Sequence, residues 1–275
     1  MRSLFPEPGE DVDLVEAYSR DLPVPKGRPM VRVNMISTLD GATSYGGRSG
    51  PLGGPEDKLL FSVLRSLADV VLVGAGTART EHYGPVRLPA EVQRRRQAKG
   101  QRPVPPIAIV TRSLSLDWGA ALFGGGDPRP IVVAPVDSGA AALGTAGRSA
   151  DLLTAGVGEV DLAAALASLA KRGMHHVLCE GGPGLNTGLT AAGLVDELCL
   201  TLSPKLAGDA GQGLLGGQLG DGGSPSATGE AGRTAGHRGR PFTRLLELRL
   251  THVLEEDSFL FLRLRPSYSG GSPAT

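Results

Sequence analysis

Five apolar runs punctuate the chain up to residue 180: Met30–Ile36, Asp69–Val73, Pro106–Thr111, Pro130–Ala134 and His175–Cys179. The last three are nearly unbroken by polar residues, the pattern of strands buried on both faces of a parallel sheet. Helical spacing fills two of the gaps. Pro55–Leu67 opens with proline at a first helical position and sets Leu59, Leu60, Val63, Leu64 and Leu67 on one face. Val160–Arg172 is alanine-rich and ends in Lys171, Arg172 and Gly173, a basic last turn followed by a glycine stop. This alternation predicts an α/β layered fold. Beyond residue 195 the pattern changes. Asp196–Ser203, Arg244–His252 and Ser258–Leu264 read as strands, and the short Glu255-Glu256-Asp257 connection predicts an antiparallel hairpin that completes a mixed sheet.

Composition supports a packed core. Of 275 residues, 40% are hydrophobic and 20% charged, although 41 are glycine and 21 proline. We read residues 1–275 as a single domain with an N-terminal extension over 1–28 and a flexible insertion over Gly208–Pro241, in which 12 of 34 residues are glycine. Lys+Arg and Asp+Glu both count 28, so the charge balance offers no basic excess for general nucleic-acid binding. Two cysteines, Cys179 and Cys199, form no CxxC and fit a reducing cytoplasm. The segment Met1–Asp13 is acidic and unlike a secretory signal, and no apolar run nears the roughly 20 residues needed to span a bilayer. The expectation is a cytoplasmic protein without membrane partners.

Three polar or glycine-rich turns follow predicted strands. Gly74-Ala75-Gly76-Thr77-Ala78-Arg79-Thr80-Glu81 begins like a GxGxxG fingerprint, but Arg79 stands where the third glycine belongs. It reads either as a phosphate-binding turn, offering free N–H groups, a hydroxyl and a guanidinium, or as a tight turn capped by Thr77. Glu180-Gly181-Gly182-Pro183-Gly184-Leu185-Asn186 lets backbone approach an anion closely and carries Glu180 at the end of its strand. Two such turns on neighbouring strands could hold a long bisphosphate cofactor from both ends. Ser37-Thr38-Leu39-Asp40-Gly41 reads as an Asp-Gly turn or a ligand contact.

Together, STLDGATSYGGRSG (Ser37–Gly50), LRSLADVVLVGAGTARTE (Leu64–Glu81) and HVLCEGGPGLNTGLTAAGLVDELCLTLSPKLAG (His176–Gly208) resemble the reductase domain of the bifunctional riboflavin-biosynthesis deaminase-reductase, in order and spacing. The likeness is to stand-alone pyrimidine reductases, because neither His-x-Glu nor Pro-Cys-x-x-Cys, the zinc deaminase signature, occurs. The resemblance implies a dihydrofolate reductase-like α/β/α fold with a mixed, mostly parallel sheet, a homodimer, and NADPH as cofactor. It implies cofactor contacts from Gly74, Gly76, Thr77, Arg79 and Glu81 in the first turn and from Gly181, Gly182, Pro183, Gly184, Leu185 and Asn186 in the second. Glu81 replaces a more usual Asp, and Gly184 a frequent Thr. Ser49, Arg65, Arg87 and Glu180 match positions that hold a phosphorylated pyrimidine, and arginine suits a phosphate because its fork binds two oxygens. Asp57, on the first long helix, matches the carboxylate that faces the substrate ring, with Glu180 and Asp40 as alternative proton donors. A pterin reductase and a non-catalytic NADPH- or pterin-binding relative are the competing functions.

Other features have plainer readings. His175 and His176 face opposite sides of a strand and do not suit one metal ion, so no metal is expected. Arg94-Arg95-Arg96-x-x-Lys99-x-x-Arg102 is a solvated charge run or, more sharply, a site for the adenosine 2′-phosphate of NADPH. Trp118 is the lone tryptophan and offers no stacking platform.

Overall fold

A computed structural model describes residues 1–19, 23–208, 213–216 and 245–268. Apart from Gly208 and residues 213–216, the Gly208–Pro241 segment lies outside the described residues. In chain order the strands are β1 (Arg2–Phe5), β2 (Met30–Thr38), β3 (Val70–Gly74), β4 (Ile107–Val110), β5 (Ile131–Ala134), β6 (Asp151–Thr154), β7 (His176–Cys179), β8 (Glu197–Ser203), β9 (Glu247–Glu256) and β10 (Phe259–Ser267). The helices are α1 (Leu14–Ser19), α2 (Pro55–Leu67), α3 (Ala75–Thr80), α4 (Ala90–Ala98), α5 (Ala140–Ser149), α6 (Leu162–Lys171) and α7 (Pro183–Ala191).

All described strands form one sheet in the order β1-β9-β10-β8-β2-β7-β3-β4-β5-β6. From β8 to β6 every neighbouring pair is parallel, whereas β10 pairs antiparallel with both β8 and β9, and β1 antiparallel with β9. The fold is therefore the expected mixed, mostly parallel sheet ending in an antiparallel hairpin. The hairpin turn sits two residues later than the sequence suggests. Asp257 and Ser258 adopt φ of 48° and 69°, which is a two-residue turn with both central residues left-handed, and β9 runs through Glu255 and Glu256.

Apolar strands feed both faces. Val70 and Leu72 of β3 join a core with Leu166 and Leu169 of α6 and Leu185 and Leu189 of α7. Val71 and Val73 join the opposite core with Leu60 and Leu64 of α2 and Leu14 and Tyr18 of α1. Alternation along a strand thus explains why the run is apolar throughout. Helix α2 has the bounds expected from its periodicity, and α6 begins where the Asp161 side chain accepts from Ala164 N–H at 2.9 Å.

The first 19 residues add an edge strand and a helix that is tied down by charge. Glu197 is fully buried and accepts from Arg32 Nε at 2.6 Å and Arg263 Nη2 at 2.7 Å. Arg32 Nη2 also donates to Tyr18 O at 2.9 Å, and Arg263 Nη1 donates to Ala17 O, so both arginines cap the carbonyl end of α1. Burial here pushes the Cys199 thiol and the Tyr18 hydroxyl well above their ordinary ranges. Arg96 corrects the expectation of a wholly solvated run over 94–102. It is buried and donates to the carbonyls of Ser66, Ala68 and Arg102 at 2.7, 2.8 and 2.9 Å, closing the end of α2.

Candidate active site

The carboxyl ends of β2, β3, β4 and β7 open into a cleft of about 1590 Å³, where a parallel sheet presents its chemistry. Its floor is backbone. Strands β3 and β7 are neighbours, so the two glycine turns meet, and Gly74 N–H donates to Gly181 O at 2.8 Å. A side chain on Gly182 would bring Cβ to 2.2 Å from Thr77 Oγ1, so the two turns touch only because position 182 has none. Thr77 is not the helix cap. Gly74 occupies that position without a side-chain bond, and the Thr77 hydroxyl sits against the second turn. Gly182 is the N-cap of α7, which starts with Pro183 and directs its amino end at the cleft through Gly184 and Leu185.

The walls carry the charge. Glu180, buried at the end of β7, accepts from Arg65 Nε and Nη2 at 2.7 and 2.8 Å, and from Tyr83 OH at 2.7 Å. The Arg65 guanidinium carbon lies 4.1 Å from the Phe61 ring centroid and 5.5 Å from that of Tyr83. Asp57, in the first turn of α2, lines the same cleft, and the Thr201 hydroxyl of β8 donates to its carboxylate. Burial raises the Asp57 carboxyl above the usual carboxylate range, outweighing Thr201 and the charges of Lys205 and Lys58. Lys205 Nζ donates to the carbonyls of Pro51 and Leu52 at 2.8 and 3.1 Å, fixing the approach to α2.

At the mouth, Ser49 N–H donates to Glu81 Oε1 at 2.7 Å, joining the loop after β2 to the end of α3. Beside it, Arg48 Nη2 and His82 Nδ1 are 2.9 Å apart. Arg79, Thr111, Arg112, Ser113 and Ser115 form the far wall beyond β3 and β4.

The cleft therefore gathers Asp57, Glu180, Ser49, Arg65, Gly74, Gly76, Thr77, Arg79, Glu81, Gly182, Pro183, Gly184 and Leu185. Four other expected residues are not among its lining. Arg87 is exposed beyond the cleft. Asp40 organises a turn: it accepts from Thr38 Oγ1 and from the N–H groups of Ala207 and Gly208, which lower its carboxyl below the usual range. Gly181, at φ 79°, turns toward Met35, and Asn186 is buried with its Nδ2 donating to Leu214 O at 3.3 Å. None of Arg94, Arg95, Arg96, Lys99 and Arg102 lines the cleft; Lys99 and Arg102 instead line a separate cavity at the amino ends of β2 and β7. Tyr83, Asn34, Arg112 and Ser113 line the cleft without any motif in the sequence that marks them. Among the described residues no group of His, Cys, Asp and Glu could hold a metal ion, and no helix is long and apolar enough to cross a membrane.

Known proteins resemble this chain in sequence and in fold. A family model described as the RibD C-terminal domain matches residues 29–235. A protein of Archaeoglobus fulgidus named 2,5-diamino-6-ribosylamino-4(3H)-pyrimidinone 5′-phosphate reductase is 27% identical over 182 residues, covering 66% of this chain and 83% of that protein. A protein of Methanothermobacter thermautotrophicus with the same name is 29% identical over 182 residues, covering 66% and 80%. The crystal structure of a pyrimidine reductase-like protein from Corynebacterium diphtheriae is similar with a TM-score of 0.73 and 25% identity, over 94% of this chain and all of that one.

Proposed function

Because the chain belongs to the family described as the RibD C-terminal domain, we propose that it is an NADPH-dependent reductase of a phosphoribosylamino-pyrimidine in riboflavin biosynthesis. The observation that carries this reading is one cleft holding both a backbone floor for a dinucleotide and a paired Arg65–Glu180 edge for a heterocycle. The residues present fit the cofactor. The space over Gly76 is open, with no atom within 4 Å of where a Cβ would stand, and the amino end of α7 favours the charge of a pyrophosphate. Gly76, Thr77, Gly182 and Gly184 would hold the phosphates, while Arg79 and Arg112, with Ser113 and Ser115, would hold the adenosine 2′-phosphate in place of the arginines of α4.

Bound NADPH would supply a hydride to the C=N carbon of the ring-opened, imine form of the ribosylamino group. The protein's own residues do the rest. Arg65 and Glu180 hold the pyrimidine ring. Asp57, raised by burial and steadied by Thr201, delivers the proton that the C=N nitrogen takes up as its carbon receives hydride. Glu180 is less suited to that step, because both its oxygens already accept from Arg65. The reaction uses soluble phosphorylated and reduced cofactors, which suits the cytoplasm.

A second copy of the chain is the expected partner. One face of the β8-β10-β9 segment is lined by leucine pairs, Leu202 against Leu260 and Leu200 against Leu262, with Leu264 opposite Leu250. Leu248 and Leu250 of this face are exposed, which suits burial against an identical leucine sheet.

The deciding test is oxidation of NADPH in the presence of the ribosylamino-pyrimidinone phosphate or of dihydrofolate. Turnover with the first supports this function. Turnover with dihydrofolate alone, or cofactor binding with no turnover on either, overturns it.

A further inference from the structure

Glu180 accepts three hydrogen bonds, unevenly divided. Oε1 accepts from Arg65 Nε, whereas Oε2 accepts from both Arg65 Nη2 and Tyr83 OH. A carboxylate offers about four lone-pair directions, two on each oxygen. Oε2 is thereby saturated, and Oε1 keeps one free acceptor direction. Arg65 is constrained in a matching way. The rings of Phe61 and Tyr83 pack within 4.1 and 5.5 Å of its guanidinium carbon, its Nε–H and one Nη2–H are spent on Glu180, and it also hydrogen-bonds the Tyr83 side chain, so no free Arg65 donor competes beside Oε1. Tyr83 cannot exchange this role for that of an acid. Burial and the Glu180 charge hold its hydroxyl well above the ordinary phenol range, so it remains a donor.

We propose that Tyr83 is a positioning residue: by occupying Oε2 it confines the free acceptor of Glu180 to Oε1, and so fixes the one carboxylate oxygen that receives a ring N–H of the pyrimidinone. Without the hydroxyl, both carboxylate oxygens compete for the ring N–H and the bound ring is no longer held in one register. Tyr83 is marked by no motif, and its role follows from the count of donors and acceptors alone. The proposal rests on the reading in which Arg65 and Glu180 touch the pyrimidine.

Steady-state kinetics of Tyr83→Phe test it, since phenylalanine keeps the ring against Arg65 and removes only the hydroxyl. The expected result is a substrate KM raised about tenfold, the scale of one hydrogen bond to a charged group, with kcat within about twofold and the cofactor KM unchanged. An unchanged substrate KM overturns the proposal. So does a parallel loss in kcat and in both KM values with a lowered melting temperature, which is the mark of a merely structural contact. Glu180→Gln separates the underlying reading. If that variant keeps the wild-type substrate KM, Arg65 and Glu180 do not hold the pyrimidine, and the assignment of their site fails independently of Tyr83.

Discussion

Arg65 and Glu180 lie 115 residues apart in sequence, yet two parallel bonds of 2.7 and 2.8 Å join the guanidinium to the carboxylate across the gap between α2 and β7. The Glu180 side chain is 2% exposed and that of Arg65 18%, so each charge depends on the other. Removing one partner strands a buried charge, which typically costs about 3–5 kcal/mol, whereas replacing both with apolar groups of similar volume costs far less. Glu180→Ala is therefore expected to lose about 3 kcal/mol of stability in chemical denaturation. The double variant Arg65→Met, Glu180→Leu should recover most of that stability while remaining unable to bind the pyrimidine. A single variant as stable as wild type would show that the pair is not coupled in this way.

Asp57 carries the proton in the proposed reaction. Its carboxyl is raised because burial disfavours the charged form. The acid form disappears as pH rises through that raised value, so kcat should fall with increasing pH on a limb that belongs to Asp57. Asp57→Asn is expected to lower kcat by roughly 10²–10⁴ and to abolish this limb. Stability should move the other way. A carboxyl whose folded value is above its unfolded value costs stability wherever it is ionised, so the asparagine variant should be more stable near neutral pH. Thermal melts and pH–rate profiles of the same preparation check both signs.

How much of this could be read from the chain depends on whether a residue's role is local. The central strands, α2, α6 and the two glycine turns declare themselves through periodicity, caps and positive-φ glycines such as Gly173 and Gly181. That the two turns meet is set by the strand order, in which β7 and β3 are neighbours, and not by the sequence of either turn. Residues whose roles depend on distant partners stay hidden. Tyr83 sits in a connection with no pattern and gains its role from Glu180, 97 positions away. Arg32 and Arg263 look like solvent-facing strand residues, yet both are buried on Glu197. The weakly patterned α5 and the four-residue edge strand β6 also escape, because a Gly/Ala helix and a short polar strand leave little periodic signal. Arg87 illustrates the converse: the resemblance assigns it to the substrate, and it stands exposed outside the lining of the cleft.

Asp69 fastens the start of β3 to the start of β7. Its Oδ2 accepts from the N–H groups of His175 and His176 at 2.9 Å each, and its Oδ1 from Gln101 Nε2 at 2.7 Å. Its carboxyl is held at about 2, although burial alone would raise it; the hydrogen bonds from His176, Gln101 and His175 overcome that penalty. The folded value is below the unfolded one, so the stabilisation is present above about pH 4 and is lost as pH falls toward 2. The size is about 2 kcal/mol, from a shift of nearly two pH units. Asp69→Asn should accordingly lose about that much at pH 7 and very little at pH 2, as measured by denaturant titration at both values. Equal losses at the two pH values would remove the ionic origin.

Cofactor choice should reside in the wall beyond β3 and β4. Arg112 and Arg79 line the cleft there, and the arginines of α4 do not. A charge-assisted contact to a 2′-phosphate is worth about 1.5–3 kcal/mol, a factor of roughly 10–100. Arg112→Ala is expected to raise the KM for NADPH by that factor while leaving the KM for NADH unchanged. Arg95→Ala, on the exposed face of α4, should leave both untouched. A loss confined to the Arg95 variant would return the 2′-phosphate to α4.

The contact between the two glycine turns can be tested by adding one methyl group and removing another group opposite it. In Gly182→Ala the new Cβ would meet Thr77 Oγ1 at 2.2 Å, far inside contact distance, while the Thr77 Cβ stands at 3.6 Å. The single variant must therefore displace the Thr77 hydroxyl, by rotating it or by parting the turns, at a cost of up to about 1–3 kcal/mol, and NADPH affinity should fall with it. Thr77→Ala removes the oxygen that clashes and leaves a Cβ–Cβ contact that can be accommodated. The double variant Gly182→Ala, Thr77→Ala should regain most of the lost stability, which makes the two changes strongly non-additive in a double-mutant cycle. If the Thr77 hydroxyl also bonds the cofactor, NADPH affinity will not return with stability. Thermal unfolding with and without NADPH separates the two effects: additive losses would mean that Gly182 and Thr77 do not touch, and full recovery of affinity would remove Thr77 from the cofactor site.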